Sequence, residues 1–314
     1  MFHILCAEHH SHFMAKKPSP KKEALLFIDT NIFLDFYRFR NTEVSIKFLD
    51  EIKKHKDILI TTKQVEMEFK KNRQTVLLST FGELKKYKTE NYKIPEVLEN
   101  SVEIDNKIKE ASKIIENELK KLPKKMEELF KNKINDPVFT TAEIVFKNES
   151  PYNLKDLNEE IFTLSKRRFK LGYPPRKNTD NSIGDSINWE WIINCGKVSK
   201  KDIIIVTRDG DYGLSLNGEP YLNDFLIDEF TDRTKGKNKI TVTNKLATAF
   251  KLVEIPVSQE MINEENEIST SKMPTFKTYL DLIKKLKENG TLDQFVEKSY
   301  IPMYKHFPMF PDTE

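Results

Sequence analysis

Cysteine is scarce in this chain: Cys6 and Cys195 are the only two among 314 residues. Two thiols cannot build a disulfide framework, and the count predicts a reducing, cytoplasmic setting. No apolar run approaches the length of about 18 residues that a membrane-spanning helix needs, so no such span is expected. Glycine is limited to 9 residues, and none sits in a glycine-rich phosphate loop. That argues against nucleoside triphosphate chemistry. The stretch Met1–Ser11 is too short and too rich in histidine for a signal-peptide core. His3, His9, His10, His12 and Cys6 lie in a tail with no core to fix ligand geometry, so residues 1–23 read as a leader and not a metal site. Met14 is an alternative start. Neither sign of charge dominates: 52 Lys and Arg face 49 Asp and Glu, a net +3. This balance leaves cations around any local cluster of acids without demanding a polyanionic partner.

What is present is a core. Hydrophobic residues make up 38%, with 21 Phe, enough for one large domain or two modest ones. Leu25-Leu26-Phe27-Ile28 is an apolar run that stops abruptly at Asp29-Thr30-Asn31. It reads as a strand buried on both faces, as in a parallel sheet covered by helices. Ile203-Ile204-Ile205-Val206 is a second such run, ending at Thr207-Arg208-Asp209-Gly210-Asp211. Between the two, an amphipathic helix is expected over 42–54, a strand over 57–61 and a helix opened by Thr62 over 64–73. The alternation predicts an α/β fold with a central parallel, doubly wound sheet. Residues 81–170 break it. Ile104, Ile108, Ala111, Ile115, Leu119, Leu122, Met126 and Leu129 recur every three or four positions, a heptad-like seam with a kink or break expected at Pro123. This segment is read as a helical insertion, a hairpin or arm against the sheet domain. Further on, a helix begins near Asp185, a late strand covers 239–243 and a helix 244–252. Residues 218–238 read as irregular and 256–272 as a linker, with short C-terminal helices over 275–289 and 292–299.

Four separate segments therefore each bring an acid to a strand end or helix start: Asp29, Glu66 or Glu68, Asp185, and Asp209 with Asp211. In an open α/β sheet the carboxyl ends of the strands are where chemistry sits. An acid there can ligate a metal, act as a base, or cap a helix. Like charges gathered at one edge are costly unless a proton or cation lies among them. An all-oxygen set selects hard ions such as Mg²⁺ or Mn²⁺. With water and a phosphodiester, such an ion supports phosphodiester hydrolysis.

These residues carry a resemblance. Phe27-Ile28-Asp29-Thr30-Asn31 with Phe33-Leu34-Asp35-Phe36-Tyr37-Arg38 resembles the opening of PIN-like domains. Gln64-Val65, Glu68-Phe69 and Asn72-Arg73 resemble the second motif of a bacterial branch in which a long helical insertion follows. Gly184-Asp185 with Trp189-Glu190 resembles the third motif, and Thr207-Arg208-Asp209 with Asp211 the fourth. The similarity covers residues 24–255. It implies a PIN-like α/β/α sandwich, with 81–170 inserted and 256–314 as a small helical extension. It also implies a Mg²⁺- or Mn²⁺-dependent nuclease, most often acting on RNA, with an antitoxin or host-defence partner. Asp29, Glu68, Asp185 and Asp209 match the metal-binding acids, with Asp211 as a fifth. Glu68 is preferred to Glu66 because it precedes Phe69, and residues two apart on a helix point to different faces. Asn31 and Thr207 fit as groups that orient the acids. Arg73, Arg176, Lys177 and Arg208 are the cations placed near a scissile phosphate. Trp189 and Trp191, on an apolar helix, read as core and not as base-stacking platforms.

Three rivals remain at this stage. Flap-type DNA nucleases share the fold. A haloacid-dehalogenase-type phosphatase needs an Asp where this chain has Asn31. A non-catalytic binding or scaffold protein would keep the acids only as structure.

Overall fold

The computed structural model describes residues 23–38, 42–86, 101–176 and 182–270. The expected leader, the short helices beyond residue 272 and Lys177 lie outside the described residues. The chain runs β1 (Ala24–Ile28), α1 (Thr30–Asp35), α2 (Thr42–Lys54), β2 (Leu59–Thr62), α3 (Lys63–Lys86), α4 (Ser101–Lys131), α5 (Pro137–Phe146) and β3 (Asn153–Leu154). It continues through α6 (Glu159–Leu171), α7 (Gly184–Ser199), β4 (Asp202–Val206), β5 (Gly213–Leu216), β6 (Glu219–Leu222), α8 (Asp224–Thr234), β7 (Ile240–Thr243), α9 (Leu246–Leu252) and α10 (Gln259–Thr270).

Five strands form one parallel sheet in the order β3-β2-β1-β4-β7. The two apolar runs read from the sequence are its centre. Leu25, Leu26, Phe27, Ile203, Ile205 and Val206 are fully buried, as a strand covered on both faces must be. Helices α2, α5, α9 and α10 pack together in one group, and α3, α6, α7 and α8 in another, giving the expected α/β/α sandwich. The chain first builds outward from β1 through β2 to β3. It then returns to the other side of β1 with β4. The order therefore reverses between β1 and β4, and the crevice at their carboxyl ends is the switch point where such sheets bind ligands.

Helix α7 is pinned by four consecutive side chains. Asn188 Oδ1 accepts from Thr62 Oγ1 at 2.6 Å. Trp189 Nε1 donates to Glu229 Oε2 at 2.8 Å, and Trp191 Nε1 to the Tyr152 carbonyl at 2.9 Å. Glu190 pairs with Arg168 at 2.9 Å and with Arg233 at 2.7 Å. Both tryptophans are buried, as core residues.

Three segments differ from the sequence reading. Among the described residues of 81–170, only α4 resembles an arm, and it runs as a single helix through Pro123. Of its seam, Ile115 alone is buried. Helix α5 instead contributes Val138, Ala142, Val145 and Phe146 to the main core, β3 extends the sheet edge, and α6 packs on α7. A run of Lys and Glu around short apolar patches hid these elements. The polar stretch 218–238 holds β6, which pairs antiparallel with β5 just before it, and α8. Residues 256–270 are not a linker: α10 packs on α2 and α9. Its Glu265 is fully buried and accepts from the backbone N–H groups of Leu246 and Ala247 at 2.8 and 2.6 Å. It thereby satisfies donors that the start of α9 cannot pair internally. An N-terminal helix cap normally comes from the residue just before the helix, so a cap 18 positions downstream has no sequence signature.

Removing this cap should weaken the domain. Glu265→Ala is expected to lower the unfolding free energy by about 1–3 kcal/mol in urea denaturation, with unchanged cooperativity.

Candidate metal and catalytic centre

The two central strands deliver the first groups. In the β1–β4 register Ile28 lies opposite Val206, and the Asp29 N–H donates to the Val206 carbonyl at 3.0 Å. Asp29 and Thr207 are therefore neighbours by strand pairing alone. Thr207 Oγ1 donates to Asp29 Oδ2 at 2.6 Å, and Asn31 Nδ2 donates to the same oxygen at 2.7 Å. The Thr30 backbone N–H donates to Oδ1 at 2.6 Å. The Asp209 N–H closes the turn on Thr207 Oγ1 at 3.0 Å, and the Arg208 N–H donates to Asn31 Oδ1 at 3.3 Å. Asn31 and Thr207 thus both donate to the Asp29 carboxylate.

Glu68 arrives from the second turn of α3. Thr30 Oγ1 donates to its Oε2 at 3.2 Å, and Gln64 Nε2 to its Oε1 at 2.6 Å. Glu66 points elsewhere and pairs with Lys63 and Lys70. Asp185 comes from the first turn of α7. The close approach of α7 to α3 depends on Gly184. A Cβ there would stand 2.8 Å from Glu68 Oε1 and would clash with Gln64 Nε2.

The acids act on one another electrostatically. Burial pushes Asp185 up to about 8, and the charges of Asp211, Asp29, Glu68 and Asp209 add to the shift. Burial pushes Asp29 up to about 6; the Thr207 hydrogen bond opposes this, and the charges of Glu68 and Asp209 reinforce it. Five carboxylates from four segments thus lie within electrostatic reach of one another.

A family profile described as PIN domain matches residues 26–212. The chain belongs to the PIN-domain family. No curated protein and no solved structure matches it. The family fold is the nuclease-type α/β/α sandwich found here.

PIN domains typically use divalent metals. Among the described residues no three His, Cys, Asp or Glu side chains are arranged to hold an ion as they stand. The donor chemistry nevertheless fits one. The ligands are all oxygen, the neighbouring acids add to the raised pKa of Asp29 and Asp185, and the oxygens of Asp29 and Glu68 that accept protein donors keep further lone pairs. Carboxylates that repel one another without a cation have no reason to close into a ligating set.

The four expected phosphate-binding cations fare differently. Arg73 is 2% exposed and pairs with Asp136 at 2.6 Å, while also donating to the Leu129 carbonyl and Tyr37. It ties the end of α4 to α5 and is not available to a phosphate. Arg176 donates to the Phe169 carbonyl at 2.9 Å and lies over the Phe169 ring. Arg208 pairs with Asp35, which also holds Arg38, and donates to the Asn244 carbonyl at 3.3 Å. Reading the sequence overlooked the supporting roles of Thr30 and Gln64. The Gln64–Glu68 spacing of four on a helix was a usable signal for the second.

Two outcomes test this arrangement. Asp29 and Asp185 have folded-state pKa values above the ordinary 3.8. Their contribution to stability is therefore full below that value and lost as pH rises through about 6 and about 8. In chelator, melting temperature should fall across this window. Asp185→Asn should melt above the wild type at pH 8, by at least several degrees, and the gap should close toward pH 4. Gly184→Ala displaces only side-chain ends, so its melting temperature should stay close to wild type. Mn²⁺ binding, read by calorimetry, should weaken several-fold because Glu68 is pushed aside.

Proposed function

We propose that this PIN domain is a metal-dependent endoribonuclease. One observation supports the reading: the charges of Asp29, Glu68, Asp209 and Asp211 all act on Asp185, and β1 and β4, which end just before Asp29 and near Asp209, flank the topological switch point of a parallel sheet. Asp29, Glu68, Asp185 and Asp209 would hold Mg²⁺ or Mn²⁺, with Asp211 beside them. When bound, the ion supplies a Lewis acid for the phosphate oxygens and makes a water acidic enough to act as a nucleophile near neutral pH. The protein's own contribution is placement. Asp29 is held from three directions by Thr30, Asn31 and Thr207. Glu68 is held by Thr30 and Gln64. Asp185 rides on a helix anchored along its next two turns. Groups fixed in this way need little reorganisation as charge develops on the phosphate.

The reaction is hydrolysis of a phosphodiester, with water attacking phosphorus in line and the 3′-oxygen leaving. The products are a 5′-phosphate and a 3′-hydroxyl, as the family resemblance implies. RNA as substrate, and a toxin or host-defence role with an antitoxin or defence partner, rest on the same resemblance. A cytoplasmic site rests on the cysteine content. Among the described residues, no helix is long and apolar enough to cross a membrane. Of the candidate cations, Arg208 stands nearest the acids in sequence, and Asp35 must release it before it can meet a phosphate.

The test is side-by-side digestion of RNA, single-stranded DNA and flap DNA in Mn²⁺. RNA is expected to be cut, and Asp209→Ala and Asp185→Asn should abolish cutting while melting no lower than wild type. Preferential cutting of flap DNA would move the assignment to a structure-specific DNA nuclease. Cutting by either variant at the wild-type rate would overturn the catalytic assignment.

A further inference from the structure

Tyr212 is the residue next to Asp211 and is 1% exposed. Its ring lies between Phe27 of β1 and Trp189 of α7, each with its centroid 6.3 Å away. Those contacts account for an aromatic side chain but not for a hydroxyl. The phenolic oxygen is buried and has no hydrogen-bond partner among the described residues. Leaving such a group unpaired is destabilising, and phenylalanine would fill the same space without that cost. The hydroxyl is also not remote from the site. The phenol's pKa is held well above its ordinary value, by burial first and then by the charges of Asp185, Asp29, Glu68 and Asp211. A proton donor, fixed by its ring, therefore stands within the field of four carboxylates from four segments.

We propose that Tyr212 is a positioning residue for the acid cluster: its hydroxyl donates a hydrogen bond to the Asp185 carboxylate when the acids gather around a divalent cation. Asp185 is the partner because it lies four residues before Trp189 on α7, on the same helix face, and Trp189 is the ring against which Tyr212 packs. The inference rests on the metal-binding reading above and adds the group that fixes the bound arrangement. In the cation-free protein the hydroxyl contributes nothing. In the cation-bound protein it becomes a hydrogen bond to a charged acceptor, one of the stronger kinds.

The experiment is Mn²⁺ titration of the full chain by calorimetry, comparing wild type with Tyr212→Phe, together with melting in chelator. Tyr212→Phe is expected to melt at or above the wild-type temperature in chelator. It should bind Mn²⁺ about ten-fold more weakly, the loss of one hydrogen bond to a charged group. A role in packing alone would move the first reading and not the second. Equal Mn²⁺ affinity in the two proteins overturns the proposal and leaves the metal site standing. Absence of Mn²⁺ binding in the wild type overturns both. If Tyr212→Phe does not fold, the wild type labelled with ¹³C at tyrosine Cζ gives the same answer. The Tyr212 resonance should move on saturation with Mg²⁺, and a stationary resonance overturns the proposal.

Discussion

Like-charge repulsion among buried carboxylates is the constraint on which this structure turns. Two unit charges about 4 Å apart at a protein-like effective dielectric near 20 repel by roughly 4 kcal/mol. An acid cluster survives only if the backbone around it is held by something stronger. Here the holding elements are the fully buried centre of the sheet and the pairing of β1 with β4. Neither strand end can retreat without breaking ladder hydrogen bonds. Burial first, and this repulsion after it, raise the pKa values of Asp29 and Asp185, and a hard cation would offset both.

The buried ion pairs serve the same geometry. Arg168, Glu190, Glu229 and Arg233 tie α6, α7 and α8 together, and Trp189 joins them through Glu229. A pair like this need not add net stability, because desolvating its members offsets much of the attraction. Its directional bonds fix the rotation of α7, and with it the direction in which Asp185 points. Arg73 and Asp136 do likewise at the other end. Asp136 caps α5 with one oxygen while its second oxygen binds Arg73 and Tyr37, so one carboxylate joins α1's exit, α3 and α5. The root of α4 is attached to the same knot through the Leu129 carbonyl. The long arm is thereby mechanically connected to the helix that carries Glu68.

Much of this was legible beforehand. An apolar run ending at an acid is a local pattern, and two such runs gave β1 with Asp29 and β4 with Asp209. The boundaries of α2 followed from its apolar spacing and came out at Thr42–Lys54. Asn31 and Thr207 were expected from the family resemblance alone, and both donate to the Asp29 carboxylate. The elements that escaped were those whose partners are distant and whose own composition is polar. Strand β3 is two residues long, α8 follows a hairpin with exposed Leu214, Leu216 and Tyr221, and α10 buries a glutamate. None of these shows a strong period in a single window.

The order of the acids along the chain, their oxygen-only chemistry and the attachment of Asp29 and Asp209 to buried strands were determined by the sequence alone, because strand formation and side-chain chemistry are local properties. Which cations remain free to meet a substrate was decided only by the tertiary structure. Arg73 and Arg208 look equally suitable as letters, yet the first is enclosed by Asp136 and the second is shared with Asp35. The same holds for Tyr212, whose hydroxyl acquires meaning only from four carboxylates brought near it by folding. Long-range pairing depends on which side chains the packed core places within reach, and no short window of sequence contains that information.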